Sequence, residues 1–199
     1  TAAIVQKNIN AKNAWGFDLS AACSGFLYGL ITGANFIESG QHKKVMVIGV
    51  DTMTSILDFQ DRDTCVIFGD GGGGVILEPT NHNYGIIDSI MRMDGSGGDY
   101  LIVPGGGSRI PATIDSVKNR KHYIKQDGKT VFKHAVKGMA EVSEKILSNN
   151  NLTGKDVALF IPHQANKRII DAAAKRCGIP KNRVLINIDK FGNTTAGTI

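Results

Sequence analysis

The sequence lacks the features of a membrane-spanning protein, a nucleic-acid-binding protein and a disulfide-rich secreted protein. None of its apolar runs approaches the roughly 20 residues that a membrane-spanning helix needs. No basic stretch is interleaved with aromatic residues in the manner of a nucleic-acid groove. The 3 cysteines are an odd number without close pairing, which argues against a disulfide framework and for a reducing compartment. We therefore expect a cytoplasmic protein that binds neither membrane nor nucleic acid.

The composition that is present is that of a folded domain with an excess of glycine. The 199 residues are 42% hydrophobic and 21% charged, and their net charge of +5 permits an anionic partner. Glycine supplies 24 residues, about 12% against a usual value of about 7%. The chain starts at Thr1 without a methionine and stops at Ile199 inside a segment that looks structured, so we expect a longer protein that continues at both ends.

Alternating strand and helix patterns predict an α/β fold. The predicted helices cover 1–10, 24–38, 130–149 and 166–176. The predicted strands cover 15–19, 44–50, 64–68, 75–77, 156–161 and 184–188. The run 44–50 is apolar and β-branched, of the kind found in buried parallel strands. We interpret the glycine run 70–74 as a tight turn between adjacent strands, and 104–127 as a long polar surface excursion. The repeated rhythm suggests two related halves, 1–80 and 81–199.

Cys23 is the first candidate for chemistry. It follows a predicted strand and a turn of small residues, at the start of a helix. Unpaired amide groups and the helix dipole at such a position stabilise a thiolate, so we expect a lowered thiol pKa. Gly25, Gly29 and Gly33 recur every four residues along the helix, which predicts very close packing against a neighbouring element.

A histidine and an asparagine occupy similar places later in the chain. His163 closes the predicted strand 156–161, and the carboxyl ends of parallel strands border the crevice where α/β proteins place their sites. Asn193 lies in a turn, 192–195, that follows another strand and opens a further helix. Taken singly, they could equally be a boundary histidine and a helix cap. With Cys23 they give the order Cys, His, Asn of a papain-like protease, although the local sequence of such proteases around the cysteine is missing.

Four strings resemble a different family, the β-ketoacyl-acyl-carrier-protein synthases III. They are Asp18-Leu-Ser-Ala-Ala-Cys-Ser-Gly-Phe, Phe68-Gly-Asp-Gly-Gly-Gly, Ile161-Pro-His-Gln-Ala-Asn-Lys-Arg-Ile and Phe191-Gly-Asn-Thr-Thr-Ala-Gly-Thr. The resemblance extends in order over nearly the whole chain. It implies a thiolase-like α/β fold, with a layered αβαβα arrangement built from two related halves, and a homodimer. It also implies an acyltransferase that condenses acetyl-CoA with malonyl-acyl carrier protein and initiates type II fatty acid synthesis.

The same resemblance implies roles for the three candidate residues. Cys23 becomes acetylated, while His163 and Asn193 donate hydrogen bonds to the malonyl thioester carbonyl and stabilise the enolate that decarboxylation leaves. No metal and no cofactor is implied beyond the substrates, which are the CoA thioester and the phosphopantetheine of acyl carrier protein.

Four further positions match substrate-binding residues of the family. The resemblance implies that Arg62 contacts the adenine of CoA and that Phe68 lines the acyl pocket. It implies that Gly128 and Asn166 lie beside the pantetheine arm.

Two basic residues, Lys133 and Arg168, match positions that meet the acidic acyl carrier protein. The chain departs from the family in the length of the 104–127 excursion and in lacking the family's first and last segments, so no acyl-chain preference is predicted. Two alternatives stay open. One is a related condensing enzyme that makes a polyketide or quinolone-type product, and the other is a non-catalytic homologue that only binds acyl carrier protein.

Overall fold

The computed structural model describes residues 1–199 as a mixed arrangement of helices and short sheets. The helices are α1 (Ala2–Asn8), α2 (Gly25–Glu38), α3 (Ile114–Lys118), α4 (Gly128–Asn149), α5 (Lys167–Arg176) and α6 (Ile188–Phe191). The strands are β1 (Val45–Asp51), β2 (Gly71–Leu77), β3 (Leu101–Ile102) and β4 (Lys125–Gln126). The confirmed helix predictions are 1–10, 24–38, 130–149 and 166–176. None of the helices combines the length and the apolar character needed to cross a membrane.

The main sheet pairs β1 with β2 over their whole lengths. The strands predicted over 44–50 and 75–77 are therefore confirmed. The pairing is antiparallel, however, so the parallel arrangement expected for the run 44–50 is wrong. β2 begins at Gly71, which means that the glycine run forms the strand itself and that the tight turn predicted over 70–74 is wrong. A strand so poor in side chains leaves its surface open to close approach by another segment.

Glycine residues of helix α2 lie very close to the main sheet. A Cβ atom on Gly29 would lie 3.0 Å from Val47 Cγ1, and one on Gly33 would lie 3.0 Å from Leu77 Cδ1. These distances are shorter than ordinary Cβ contacts, so a larger residue at either position would require the neighbouring side chain to shift by a few tenths of an ångström. The close packing predicted from the glycine stripe is confirmed.

Two strands predicted in the first half do not form. Residues 15–19 pair with no other strand. Residues 64–67 lie in a series of turns, and Phe68 forms only an isolated bridge. In these turns the Asp61 carboxylate accepts hydrogen bonds from the Asp63 N–H at 3.1 Å and from the Thr64 hydroxyl at 3.0 Å. Such local side-chain bonds compete with a sheet ladder, which explains why an apolar run here does not extend into a strand.

Two strands predicted in the second half are reduced to a single contact. Segments 156–161 and 184–188 meet at one parallel bridge, between Phe160 and Val184. The prediction of full strands is wrong because the main chain beyond the bridge bonds elsewhere. The N–H of Asn187, for example, donates to a side-chain oxygen instead of to a neighbouring strand.

The excursion 104–127 packs onto the first half of the chain. It contains α3 and β4, so it is only in part the irregular surface segment expected from its polarity. It contributes to a buried apolar cluster whose members are Met53, Leu57, Phe68 and Ile124. Arg120 Nε also donates to the buried Asp58 carboxylate at 2.7 Å. The excursion is thereby fixed against the loop that precedes β2.

Residues 193–198, which we call the asparagine turn, lie against the glycine-rich part of the main sheet. A Cβ atom on Gly71 would lie 2.8 Å from Thr194 Cβ. A Cβ atom on Gly49 would meet the carbonyl oxygen of Ala196. The missing side chains of both strands therefore make the space that this late segment of the chain occupies.

Main-chain hydrogen bonds hold the asparagine turn in that space. The Asn193 N–H donates to the Ile67 carbonyl at 2.9 Å, and the Gly69 N–H donates to the Asn193 carbonyl at 3.0 Å. At the end of β1, the Asp51 carboxylate accepts a hydrogen bond from the Ala196 N–H at 2.9 Å. The turn is thus tied at both ends to the first half of the chain.

Gly49 and its cross-strand partner Gly73 offer a matched test of this packing. A Cβ atom on Gly73 would have no other atom within 4 Å, in contrast to one on Gly49. We expect Gly49→Ala to lower the free energy of unfolding by about 1–3 kcal/mol through overpacking. We expect Gly73→Ala to change it by less than about 1 kcal/mol. Urea denaturation measures both, and equal effects would contradict the close approach of the asparagine turn.

Candidate active site

Cys23 lies in the 3₁₀ turn Ala22–Ser24, directly before α2. Its thiol is half-buried. The preceding residue, Ala22, has a φ of +45°, in the left-handed region that costs a non-glycine residue about 1 kcal/mol. Such strain persists only where the surrounding packing enforces it, and it is frequent at active sites.

The surroundings of Cys23 keep its thiol protonated. Burial raises the pKa of Cys23 to about 11, and the negative charge of Asp51 adds to the increase. The N–H of Cys23 itself acts in the opposite direction but is outweighed. The expectation that the helix N-terminus lowers this pKa is therefore wrong, because desolvation of the thiolate exceeds the favourable effect of the helix end.

His163 is held neutral by its surroundings. Its neighbours Pro162 and Gln164 are both buried, and the ring itself is half-buried. Burial lowers the pKa of His163 to about 4, because the imidazolium would lose its hydration. Its Nδ1 atom is buried without a hydrogen-bond partner. The ring is thus a neutral imidazole whose position depends on the main chain that carries it.

Asn193 is buried and oriented by its own turn. Its side chain is 6% exposed, and Oδ1 accepts a hydrogen bond from the Thr195 N–H at 3.0 Å. Nδ2 takes part in none of the hydrogen bonds that the structure forms. Because the oxygen is occupied, the orientation of the amide is set, and its two N–H groups are left as donors for another molecule.

The asparagine turn is the common neighbour of the three candidate residues. On one side, a Cβ atom on Gly25, two residues after Cys23, would lie 3.4 Å from Ala196 Cβ. On the other side, the N–H of Gln164, next to His163, donates to Thr198 Oγ1 at 2.9 Å. Residues far apart in the sequence are therefore gathered around one short segment.

Three further residues of this region were missed by sequence reasoning. Asp51 ends β1 close enough to Cys23 to act on its charge, and an acid directly after an apolar strand was a signal that could have been used. Thr195 has a left-handed φ of +50° and a buried hydroxyl without a partner. Gln164 is buried at 1% exposure. Its role depends on contacts between distant segments, which no local pattern reveals.

Of the residues matched to CoA binding, Arg62 and Gly128 are exposed, and Asn166 borders a cavity next to Asn193. Arg62 is exposed in the turns before β2, and Gly128 is the exposed first residue of α4. Asn166 caps α5, where its Oδ1 accepts the N–H of Arg168 at 2.8 Å. It borders a cavity of about 220 Å³ that also touches Gly192, next to Asn193.

Phe68 connects the buried apolar cluster to the candidate site. It is 8% exposed and packs in the cluster with Met53, Leu57 and Ile124. Its main chain forms a parallel bridge with Asn193. The main chain at Phe68 is therefore paired directly with the first residue of the asparagine turn.

Lys133 and Arg168 lie on the packed pair of helices α4 and α5. Both are exposed. The Arg168 guanidinium carbon lies 4.9 Å from the ring centroid of Phe132, the residue before Lys133. The structure therefore brings these two basic residues to the same region of the surface, next to Asn166. No group of three or more His, Cys, Asp and Glu side chains is arranged to hold a metal ion.

Two family models match the chain. The model described as 3-oxoacyl-[acyl-carrier-protein (ACP)] synthase III matches residues 17–95, and the model of its C-terminal part matches residues 147–199. Together they include Cys23, His163 and Asn193. The chain belongs to this family.

Individual relatives of the family agree with this assignment. A beta-ketoacyl-[acyl-carrier-protein] synthase III of Koribacter versatilis is 57% identical over 201 residues, which is 100% of this chain and 60% of the relative. The synthase III of Chlorobaculum tepidum is 59% identical over 201 residues, 100% of this chain and 61% of the relative. The crystal structure of the synthase III from Aquifex aeolicus has a TM-score of 0.87 at 40% identity, and the match covers 100% of this chain and 59% of that one.

The predicted fold class is confirmed by these matches. The chain has the thiolase-like α/β fold of the synthase III family. It spans about 60% of the length of the curated relatives it matches.

Replacing Asp51 by asparagine should make Cys23 easier to ionise. The carboxylate raises the thiol pKa by repulsion, and an asparagine keeps the oxygen that accepts the Ala196 N–H. We expect Asp51→Asn to speed alkylation of Cys23 by iodoacetamide several-fold at about pH 8.5, because more thiolate is present. Peptide mass spectrometry separates Cys23 from Cys65 and Cys177. Unchanged or slower alkylation would contradict an electrostatic effect of Asp51 on the thiol.

His163 should make the fold less stable in mild acid. The unfolded histidine binds a proton below about pH 6.5, whereas the folded one binds it only near pH 4. Between these values the unfolded state binds more protons, so the free energy of unfolding falls as the pH is lowered through this window. We expect His163→Gln to remove that part of the pH dependence, measured by urea denaturation at about pH 7 and about pH 5. If the free energies of unfolding of wild type and variant differ by the same amount at both pH values, the result would contradict a buried neutral imidazole.

Proposed function

We propose that the protein carrying this chain is an acyltransferase that condenses acetyl-CoA with malonyl-acyl carrier protein, and so initiates type II fatty acid synthesis. The observation that carries this proposal is the gathering of a cysteine and two neutral hydrogen-bond donors, His163 and Asn193, around one turn. Neutral donors can stabilise an oxyanion without a change of protonation. A papain-like protease instead needs a histidine that takes the thiol proton, and a histidine with a pKa of about 4 is a poor base for that purpose.

In the first half-reaction, Cys23 Sγ attacks the acetyl carbonyl carbon of acetyl-CoA. A new sulfur–carbon bond forms, the bond to the CoA sulfur breaks, and the thiol proton ends on the departing CoA sulfur. Because the pKa of Cys23 is about 11, the resting thiol is protonated at neutral pH, and loss of its proton accompanies the attack. The unpaired amides at the start of α2 are suited to stabilise negative charge that develops there.

In the second half-reaction, the malonyl thioester of acyl carrier protein loses carbon dioxide. The electron pair of the breaking carbon–carbon bond moves into an enolate, whose oxygen carries the negative charge. Asn193 Nδ2–H and an N–H of the neutral His163 donate to this oxygen. The fixed orientation of the Asn193 amide means that little reorganisation is needed when the charge develops.

The condensation step joins the two halves. The enolate carbon attacks the carbonyl of acetyl-Cys23, and the cysteine sulfur leaves as a thiolate. Acetoacetyl-acyl carrier protein is released, and the thiolate takes up a proton from solvent. The high pKa of Cys23 favours this return to the thiol, which closes the cycle.

We assign recognition of CoA to four residues around this centre. Arg62 is exposed, and its guanidinium would contact the nucleotide end of CoA. Gly128 and Asn166 would lie beside the pantetheine arm of CoA. Phe68, packed in the apolar cluster beside Asn193, limits the space for the acyl group.

We assign docking of acyl carrier protein to the surface that carries Lys133 and Arg168. Both side chains are exposed, and an acidic partner would be attracted to them in a salt-dependent way. A homodimeric assembly and a cytoplasmic location stay proposals from the family resemblance, as does the division into the halves 1–80 and 81–199.

The proposal is tested by measuring the two half-reactions separately in the protein that carries this chain. We expect Cys23→Ser to abolish transfer of a labelled acetyl group from acetyl-CoA, whereas Cys65→Ser, at another half-buried cysteine, retains it. We expect His163→Ala and Asn193→Ala to retain acetyl transfer and to slow release of carbon dioxide from malonyl-acyl carrier protein by about 10²–10³-fold, the usual cost of one oxyanion donor.

Four outcomes would contradict the proposal. Acetyl label that survives in Cys23→Ser would exclude Cys23 as the nucleophile. Equal loss of both half-reactions in the His163 and Asn193 variants would indicate a structural role for these residues. A wild-type protein that binds acyl carrier protein without either half-reaction would be the non-catalytic homologue, and preference for a different acyl-CoA would favour the polyketide or quinolone-type enzyme.

A further inference from the structure

Gln164 is the most completely buried polar side chain beside the candidate site. It follows His163 directly and is 1% exposed. The chemistry proposed above does not use it. A buried amide is costly unless its hydrogen bonds are made, so its contacts show what it is there to hold.

The amide of Gln164 uses its full hydrogen-bonding capacity. Nε2 donates to the carbonyls of Pro162 at 2.9 Å and Leu185 at 3.1 Å. Oε1 accepts the N–H groups of Asn187 at 3.0 Å and Ile188 at 3.2 Å. The side chain therefore satisfies main-chain groups at Pro162 and in residues 185–188 that a neighbouring strand would otherwise satisfy.

The main chain of Gln164 makes a second connection. Its N–H donates to Thr198 Oγ1 at 2.9 Å, in the asparagine turn. Thr198 is itself buried. Gln164 is thus the point where the segment carrying His163, the segment 184–188 and the asparagine turn are joined.

The imidazole of His163 has no comparable support of its own. Its Nδ1 atom is buried without a partner, so no hydrogen bond at that nitrogen orients the ring. The placement of the ring therefore depends on the main chain at residues 162–164. That main chain is fixed by the side chain and the N–H of Gln164.

We propose that Gln164 is a positioning residue, which holds His163 in register with Asn193 so that both donors reach one thioester oxygen. This inference rests on the proposed function. His163 and Asn193 act as a pair of donors only while Gln164 joins the two segments that carry them. A displacement of about 1 Å between such groups can cost about 10²-fold in rate.

Removal of the amide should affect one half-reaction far more than the other. Gln164→Met keeps the approximate volume and removes all side-chain hydrogen bonds. We expect release of carbon dioxide from malonyl-acyl carrier protein to fall by about 10²-fold, with acetyl transfer to Cys23 reduced only a few-fold. Acetyl transfer is the internal control because it needs Cys23 but not the donor pair.

A milder pair of variants keeps the test valid if Gln164→Met folds poorly. Thr198→Val removes only the oxygen that accepts the Gln164 N–H, whereas Thr198→Ser retains it. We expect Thr198→Val to slow carbon dioxide release by about 10-fold relative to acetyl transfer, and Thr198→Ser to restore the wild-type ratio.

Arg183→Met is the matched structural control. Arg183 Nη1 joins two segments in the same half of the chain, through the carbonyls of Lys155 at 2.6 Å and Val157 at 3.0 Å, without touching His163 or Gln164. We expect this variant to lose stability while keeping the ratio of the two half-reactions.

The outcomes separate this inference from the function on which it rests. A wild-type protein that acetylates Cys23 but releases no carbon dioxide would refute the proposed function, and the inference with it. If the wild type performs both half-reactions, a selective loss in Gln164→Met and Thr198→Val supports the positioning role. An unchanged ratio in these variants, or an equal change of ratio in Arg183→Met, would overturn it.

Discussion

The close approach of the asparagine turn to the main sheet is the contact on which the candidate site depends. Gly49 and Gly71 leave the space, and the hydrogen bonds of Asn193 and Ala196 hold the turn within it. Part of the glycine excess of the sequence is explained by this packing and by the close packing of α2 on the sheet.

Burial shifts the pKa values of Cys23 and His163 in opposite directions, because in both cases it disfavours the charged form. The charged form of a thiol is an anion, so burial raises the pKa of Cys23, and the charged form of an imidazole is a cation, so burial lowers the pKa of His163. Asn193 is neutral at any pH. All three groups are therefore uncharged at neutral pH.

Part of this arrangement could be predicted from the sequence. Helices were predictable because their length and periodicity are local properties, and the glycine stripe of α2 indicated close packing for the same reason. Cys23, His163 and Asn193 were singled out by their positions after apolar segments and by the strings around them. The structure gathers all three around one turn.

The remainder depends on contacts between distant segments. The pairing of β1 with β2 could not be predicted, because uniformly apolar runs fit parallel and antiparallel sheets alike. The glycine run at the start of β2 has no side-chain alternation that would mark it as a strand. Gln164 gives no local signal, since three of its four side-chain partners, at residues 185–188, lie more than twenty residues away. The raised pKa of Cys23 follows from burial, which local sequence does not report.

Native-state hydrogen exchange of the asparagine turn tests the central claim most directly. The amides of Gly69, Asn193 and Ala196 are the ones that tie the turn to the first half of the chain. If the packing of the turn holds the site together, these amides exchange only with the opening that exposes the amides of β1. Exchange through a local opening of much lower free energy, with β1 still protected, would contradict the account.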